Sequence, residues 1–374
     1  MLWIGVMNNK LLIAAAGAGK TTYLFKEALK RKETILITTY TKSNENEIKT
    51  KIYKKLGYIP QNIEIESWFE FLLRQGVRPF QGTMHNILYE HKIGFVLKNQ
   101  KSALYTNEND VLRHYFTKEL QIYSDKVSKF IVKCNDKMKG KIIDRISRIY
   151  KHIFIDEIQD MVGYDLELLR YLFDSSSEII IVGDPRQAIF ATHPTDKYAK
   201  YRNGNIENFV LNEVGRQKCE IDKITLNVSH RNDEKICFYS SKLYPEFPKS
   251  NACDCDVCRS YNKNHNGVFL VRSQDIPNYI SEYKPIQLRW DKRISGYQNY
   301  PIYNFGDSKG MTFDRVLIYP TKKIESWIKD NAVELEETTR AKFYVALTRA
   351  RQSVAIVMDY DREKAIEGLE YYTV

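Results

Sequence analysis

At 374 residues the chain is about twice the size of an ordinary single domain, so two compact lobes are expected rather than one core. Apolar residues make up 43% and charged residues 28%, a globular composition that excludes disorder. No stretch approaches the ~20 consecutive apolar residues of a membrane span. The net charge of +10, with 26 tyrosines and 17 phenylalanines as stacking faces, suits nucleic acid, although a lysine-rich solvated surface accounts for the charge as well. The N-terminus has no basic-then-apolar signal pattern, and six cysteines do not resemble a secreted disulfide framework, so a cytoplasmic protein without a membrane partner is expected.

In chain order, the apolar run Lys10 to Ala16 predicts a strand ending in small residues, and the amphipathic Thr21 to Lys30 predicts a helix. Thr34 to Thr38 reads as a strand, Asn44 to Leu56 as a helix with Ile48, Ile52 and Leu56 four apart, and Ile63 to Ile65 as a third strand. Such alternation implies a parallel sheet with crossover helices. Residues 80–149 change to polar, aromatic and lysine-rich sequence, read as long helical segments inserted in the first lobe. The sheet resumes at His152 to Ile155 and Ile179 to Val182. The first lobe is therefore placed at 1–79 and 150–213, and the second at 214–374 with a short Cys-rich insertion at about 248–266. Second-lobe strands are expected at Ile224 to Asn227, Val268 to Val271, Ile302 to Phe305, Val316 to Tyr319 and Val354 to Val357, with helices near Asp233 to Leu243 and Thr338 to Thr348.

Three strand ends carry chemistry. Ala14-Ala15-Ala16-Gly17-Ala18-Gly19-Lys20-Thr21 departs from the strict Gly-x4-Gly-Lys-Thr pattern by its first alanine and keeps the Gly-x-Gly-Lys-Thr end. Small residues at Ala16, Gly17, Ala18 and Gly19 let backbone N–H groups close around phosphate, Lys20 adds charge, Thr21 can ligate Mg²⁺, and Thr22 completes the cradle. Ile153-Phe154-Ile155 ends in Asp156 and Glu157, of which Asp156 suits Mg²⁺ and Glu157 suits an attacking water. Gln187 follows the third strand end and is placed to feel a γ-phosphate, while Asp160 serves equally as a helix cap. The three ends suggest one pocket for ATP or GTP.

These motifs, in order, resemble the UvrD/Rep-like branch of superfamily 1 helicases over nearly the whole chain. Thr38 to Lys42, Asp156-Glu157-Ile158-Gln159-Asp160, Gly183 to Phe190, Ser229-His230-Arg231, Asp307 to Phe313 and Tyr344 to Ala350 each look like a motif of that family, after the phosphate loop. The resemblance implies an α/β fold of two RecA-like P-loop lobes with ATP and Mg²⁺ between them. It implies that Arg231 and Arg349 reach the γ-phosphate, that His230 stacks on adenine and that Gly310 lies near the nucleotide. Tyr40 and Phe190 take positions that stack on bases of single-stranded or tailed duplex DNA, and Thr41, Ser67, Trp68 and Ser308 are further strand contacts. Lobe-to-lobe salt bridges compete as a role for the two arginines, and core packing for the two aromatics.

The implied activity is an ATP-dependent translocase or helicase, of 3′ to 5′ polarity. The alternative is an ATP-gated DNA-binding or signalling subunit of a nuclease or antiphage system that hydrolyses ATP without unwinding. Several departures favour a reduced motor. No glutamine motif that reads adenine precedes the phosphate loop, Thr312 replaces the usual Glu, and Thr192 stands where a base-stacking Trp is common. The interval from Arg231 to Ser308 is too short for the large insertion of long family members. Within it, Cys253, Cys255 and Cys258 with His265 form a candidate tetrahedral Zn²⁺ set, Cys237 being able to replace His265; a loop of free thiols is the competing reading.

Overall fold

Runs of β-branched residues flanked by small or polar residues become parallel strands in this protein, because burial on both faces selects uninterrupted apolar segments. The structure, a computed structural model, describes residues 9–260, 264–360 and 365–373, so part of the expected Cys-rich insertion, at 261–263, lies outside the described residues. The chain divides into two compact units.

The first unit comprises the segment ending at Leu12, Lys20–Gly183 and Phe190–Asp222. It begins β1 (Lys10–Ile13), α1 (Lys20–Leu29), β2 (Ile35–Thr39), α2 (Lys42–Leu56), β3 (Ile63–Ser67) and α3 (Trp68–Phe71). All five positions of β2 are buried. Thr41 caps α2 by accepting from the Asn44 amide at 3.1 Å, and Gly57 closes it in the left-handed conformation. There follow β4 (Gly94–Val96), α4 (Val111–Tyr115), β5 (Gln121–Tyr123), α5 (Val127–Lys137), α6 (Lys141–Ile149), β6 (His152–Ile155), α7 (Tyr164–Phe173), β7 (Glu178–Gly183), α8 (Ile206–Phe209) and β8 (Glu220–Asp222). The six-stranded sheet runs β3-β2-β6-β7-β1-β8.

The segment 80–149 differs from the expected run of long helices. Its first part is short 3₁₀ turns at Gln81–Thr83 and Asn86–Tyr89, with β4 and β5 paired in parallel, and sustained helix starts only at Val127. Pro79, Gly82, Gly94 and the Asn107-Glu108-Asn109-Asp110 run interrupt helical propagation there.

In the second unit, short segments Ile13–Gly19 and Asp184–Ile189 join Lys223–Val374. Its elements are β9 (Val228–Ser229), α9 (Glu234–Ser241), β10 (Asn251–Ala252), α10 (Asp256–Arg259), β11 (Gly267–Val271), α11 (Ile276–Tyr283), β12 (Ile286–Arg289), β13 (Ile302–Asn304), β14 (Phe313–Tyr319), α12 (Lys322–Lys329), α13 (Glu337–Leu347), β15 (Ala350–Val357) and β16 (Glu370–Tyr371). A six-stranded sheet, β13-β12-β14-β15-β11-β16, is parallel at every pairing. Both units thus have the α/β, RecA-like architecture expected. The strand expected at Ile224 to Asn227 is instead a turn with Ile224 81% exposed; the pairing strand is β9. The first unit keeps β8, so the division falls after Asp222 rather than at Val214. Among the described residues no helix is long and apolar enough to cross a membrane.

One buried carboxylate ties the first unit together. Asp165 on α7 is fully buried and accepts from the Trp68 indole at 2.9 Å, the Thr192 hydroxyl at 2.6 Å and the Ser128 hydroxyl, with His193 Nδ1 at 3.4 Å. Burial opposes its charge, but His193 and these donors outweigh it and hold the carboxyl below the usual range. Asp165→Ala leaves the indole and hydroxyls buried without their acceptor and is expected to lower stability by about 3–5 kcal/mol, read by denaturant unfolding. A loss under about 1 kcal/mol contradicts this role.

Candidate active site

In parallel α/β sheets, ligands meet the carboxyl ends of strands, where loops and helix N-termini expose backbone donors. The first unit brings four of the expected residues together at such ends. Thr21, in the first turn of α1, donates its hydroxyl to Asp156 at 2.8 Å, and Lys20 Nζ lies 3.1 Å from a Glu157 oxygen. Asp156 directly follows β6, its amide donating to the Thr38 carbonyl at 2.9 Å. Glu157 turns into the left-handed region at φ 57°, a strained conformation for a non-glycine residue, and its other oxygen accepts from the Gln159 amide. Asp156 is pushed up to about 6 by burial and then by the adjacent Glu157 charge, with Lys20 and Thr21 opposing. A hydroxyl and a carboxylate side by side are hard oxygen donors fit for Mg²⁺, which binds few protein oxygens and keeps waters.

The second unit assembles a different set around the loop 13–19. Gly17 and Gly19 adopt φ 74° and 79°, conformations that side chains disfavour. A Cβ on Gly17 would come within 2.6 Å of Arg231 Cβ and 2.7 Å of Ser229 Oγ. The Ser229 hydroxyl donates to the Ala16 carbonyl at 2.7 Å and the His230 amide to that of Gly17 at 3.0 Å, so the turn carrying Arg231 is moulded onto this loop. Arg231 donates to the Thr348 carbonyl at 3.3 Å.

Arg186 and Asp184, both buried, pair at 2.7 Å; Arg186 also donates to the Ala14 carbonyl at 2.8 Å and lies over the Tyr344 ring. The remaining Asp184 oxygen accepts from Gln187 at 2.8 Å and from the Tyr344 hydroxyl at 3.3 Å. Gln187 in turn accepts from Arg349 at 3.1 Å, which joins two expected catalytic residues directly. The motif match gave Arg186, Tyr344 and Asn232 no role. Asn232 donates to the Thr348 and Ala350 carbonyls at 3.1 and 2.7 Å, on either side of Arg349, and so sets the turn between α13 and β15 that carries this arginine. Ala18 is buried, Thr22 is exposed, and Gly310 sits at φ 86° with open space around it.

The expected strand contacts fare unevenly. Trp68 has no exposed surface and spends its N–H on Asp165, so it is a core side chain with no face for a base. Ser67 is buried and forms a capping box with Glu70, whose carboxylate accepts from the Ser67 amide and also from its hydroxyl; Ser308 is buried and donates to the Phe305 carbonyl. Thr41 is committed to capping α2. Tyr40 packs on Phe69 and donates to the Thr192 carbonyl at 3.0 Å, whereas Phe190 is 51% exposed.

The cysteine expectation needs correcting in its fourth member. His265 is stacked between Phe269 and Tyr283 at centroid distances of 3.7 and 3.9 Å, and its Nε2 meets the Tyr279 hydroxyl. Burial and then Arg315 push it down to about 4, which keeps this packed ring neutral. Cys237 is a buried residue of α9, near the Asn232 carbonyl. The imidazole that stands with Cys253, Cys255 and Cys258 is that of His230, with one ligand atom from each of the four within 4.8 Å of the others.

Residues 61–213 match the UvrD/REP helicase N-terminal domain. Over 193 residues the chain is 23% identical to the RecBCD enzyme subunit RecB of Borreliella burgdorferi, covering 50% of this chain and 15% of that protein. Over 216 residues it is 28% identical to the ATP-dependent DNA helicase SRS2 of Saccharomyces cerevisiae, covering 54% of this chain and 17% of that protein. Among solved structures, that of the arterivirus nonstructural protein 10 helicase is similar at 14% identity and a TM-score of 0.47, covering 95% of this chain and 60% of that one.

The close approach at Gly17 gives a direct test. Gly17→Ala adds about 1–2 kcal/mol of left-handed strain and a clash with Arg231 and Ser229. Nucleotide affinity is expected to fall about tenfold or more by calorimetric titration, an unchanged Kd being the contrary result.

Proposed function

We propose that this chain, whose residues 61–213 match the UvrD/REP helicase N-terminal domain, is an ATP-dependent translocase or helicase on single-stranded DNA, moving 3′ to 5′. The observation that carries this reading is the paired set Lys20–Glu157 and Thr21–Asp156 at strand ends, a charge-balanced arrangement that phosphate can enter. When ATP enters, its phosphates replace Glu157 as the partner of Lys20. Glu157 is thereby released to orient and deprotonate the attacking water. Thr21 and Asp156 are the residues that would hold Mg²⁺, whose charge would offset that of the phosphates. Gln187 senses the γ-phosphate, while Arg231 and Arg349 stabilise charge on the transferring group.

Coupling to DNA follows from Gln187. It shares Asp184 with Arg186 and Tyr344, and Phe190 lies three residues beyond it, so a change at Gln187 shifts the base of an exposed stacking ring. Alternating grip is then a population shift driven by occupied and empty nucleotide states.

A second reading, an ATP-gated DNA-binding subunit of a nuclease or defence assembly, gains support from the buried state of Trp68 and Thr192. With Trp68 in the core and a buried threonine at 192, neither position offers an aromatic face to wedge strands apart. The two readings diverge in one experiment. ATPase rate is measured with and without single-stranded DNA, alongside displacement of a strand from tailed duplexes. Stimulated hydrolysis with displacement supports the motor, and stimulated hydrolysis without it supports the second reading.

Glu157→Gln is expected to preserve ATP binding and lower turnover by about 10²–10⁴-fold, the usual worth of a general base. Phe190→Ala is expected to weaken single-stranded DNA binding by about 1–3 kcal/mol in a fluorescence anisotropy titration, one stacked base's worth. Retained turnover in the first variant removes the base from Glu157, and unchanged DNA affinity in the second removes the stacking role.

A further inference from the structure

The thiols and the imidazole come together through strand pairing. β9 and β10 are parallel, with Val228 opposite Asn251 and Ser229 opposite Ala252, and the Cys253 amide donates to the Ser229 carbonyl at 2.8 Å. His230 and Cys253 therefore leave the same end of this two-stranded ribbon, one from each strand. The chain then turns into α10, with Cys255 at its N-cap and Cys258 on the helix. Cys258 Sγ lies 3.7 Å from His230 Nδ1.

We propose that His230, Cys253, Cys255 and Cys258 are the four ligands of a structural zinc ion. Ligand atoms at the corners of a tetrahedron with bonds of about 2.0–2.3 Å stand roughly 3.6 Å apart, and the observed spread within 4.8 Å is close to that figure. Three thiolates with one imidazole are a soft donor set that favours zinc over magnesium or calcium. His230 and Cys255 are exposed, and a pocket of about 470 Å³ lined by His230, Arg231, Cys253, Cys258, Lys249 and Arg351 opens beside the cluster, giving the ion access. Arg231, Lys249 and Arg351 also offset the net negative charge of a three-thiolate zinc centre.

The position of the site has a consequence at the phosphate loop. The His230 amide donates to the Gly17 carbonyl, and the next residue is Arg231. A metal on the His230 side chain anchors the turn from Ser229 to Asn232 to β10 and α10, which holds that backbone donor and Arg231 in place. His230 is then a ligand and not an adenine platform. This consequence rests on the nucleotide role proposed for Arg231; the zinc assignment does not.

The test uses the full chain, purified without a histidine tag or chelator. Metal analysis is expected to find one zinc per chain, and cobalt replacement is expected to give the intense visible bands of tetrahedral thiolate ligation. His230→Ala is expected to weaken zinc binding by more than about tenfold against a chromophoric chelator, whereas His230→Cys restores a four-ligand set and retains it. His265→Phe, which keeps the aromatic stack filled, leaves zinc binding unchanged. A chain that neither carries zinc nor takes it up, a six-coordinate cobalt spectrum, or a disulfide among the three thiols overturns the site. Zinc retained in His230→Ala, or lost in His265→Phe, overturns the assignment of His230. With one zinc bound, an unaltered nucleotide Kd after zinc removal overturns only the link to Arg231.

Discussion

The buried ion pair between Asp184 and Arg186 is the constraint on which the second unit's chemistry depends. Two charges so far from water cost several kcal/mol each unless every lone pair and N–H finds a partner. Here Arg186 satisfies itself on Asp184, on the Ala14 carbonyl and over the Tyr344 and Phe247 rings. Asp184 uses its second oxygen for Gln187 and Tyr344, and Gln187 passes the contact on to Arg349. The need to satisfy one buried pair thus orders the start of the phosphate loop, a glutamine and an arginine as a single connected network. Networks of this kind are all-or-none, since losing one member strands a charge in a low-dielectric interior.

The first unit solves the same problem more loosely. Lys20 and Glu157 neutralise one another with some exposure to water, and Thr21 occupies one oxygen of a fully buried Asp156. The left-handed backbone at Glu157 aims its carboxylate where the regular continuation of β6 would not. In the proposed function these groups, paired with each other here, exchange their partners for phosphate and metal, which keeps the desolvation cost low in both states. By contrast, Asp165 has no such exchange available. Its partners span α3, α5 and the segment after β7, and its role is to hold the unit together.

That structural demand explains why several residues suited to DNA by motif position turn inward. Trp68 provides the N–H that Asp165 requires, and Thr192 provides a hydroxyl to the same carboxylate. Phe190, by contrast, keeps half its surface exposed. The excess of positive charge and the exposed ring of Phe190 are the two features that the proposed DNA binding draws on.

Sequence alone determined the elements whose signal is local. Uninterrupted apolar runs specified β2, β6, β7, β11, β14 and β15, small residues before Lys20 specified the phosphate loop, and Asp156-Glu157 at a strand end specified the carboxylates. Each depends only on neighbours along the chain. Local sequence was a poor guide to 80–149, where glycine, proline and asparagine broke an apparent helical pattern into turns. It also missed β12, β16, α11 and α12, which are short and gain their stability from packing onto the sheet. The choice between His230 and His265 was beyond its reach for a sharper reason. Proximity along the chain favours His265, but that ring is enclosed by aromatics, and the register of β9 against β10 delivers His230 to the thiols. Strand pairing is a relation between distant segments, so only the tertiary structure could decide which histidine the cysteines meet.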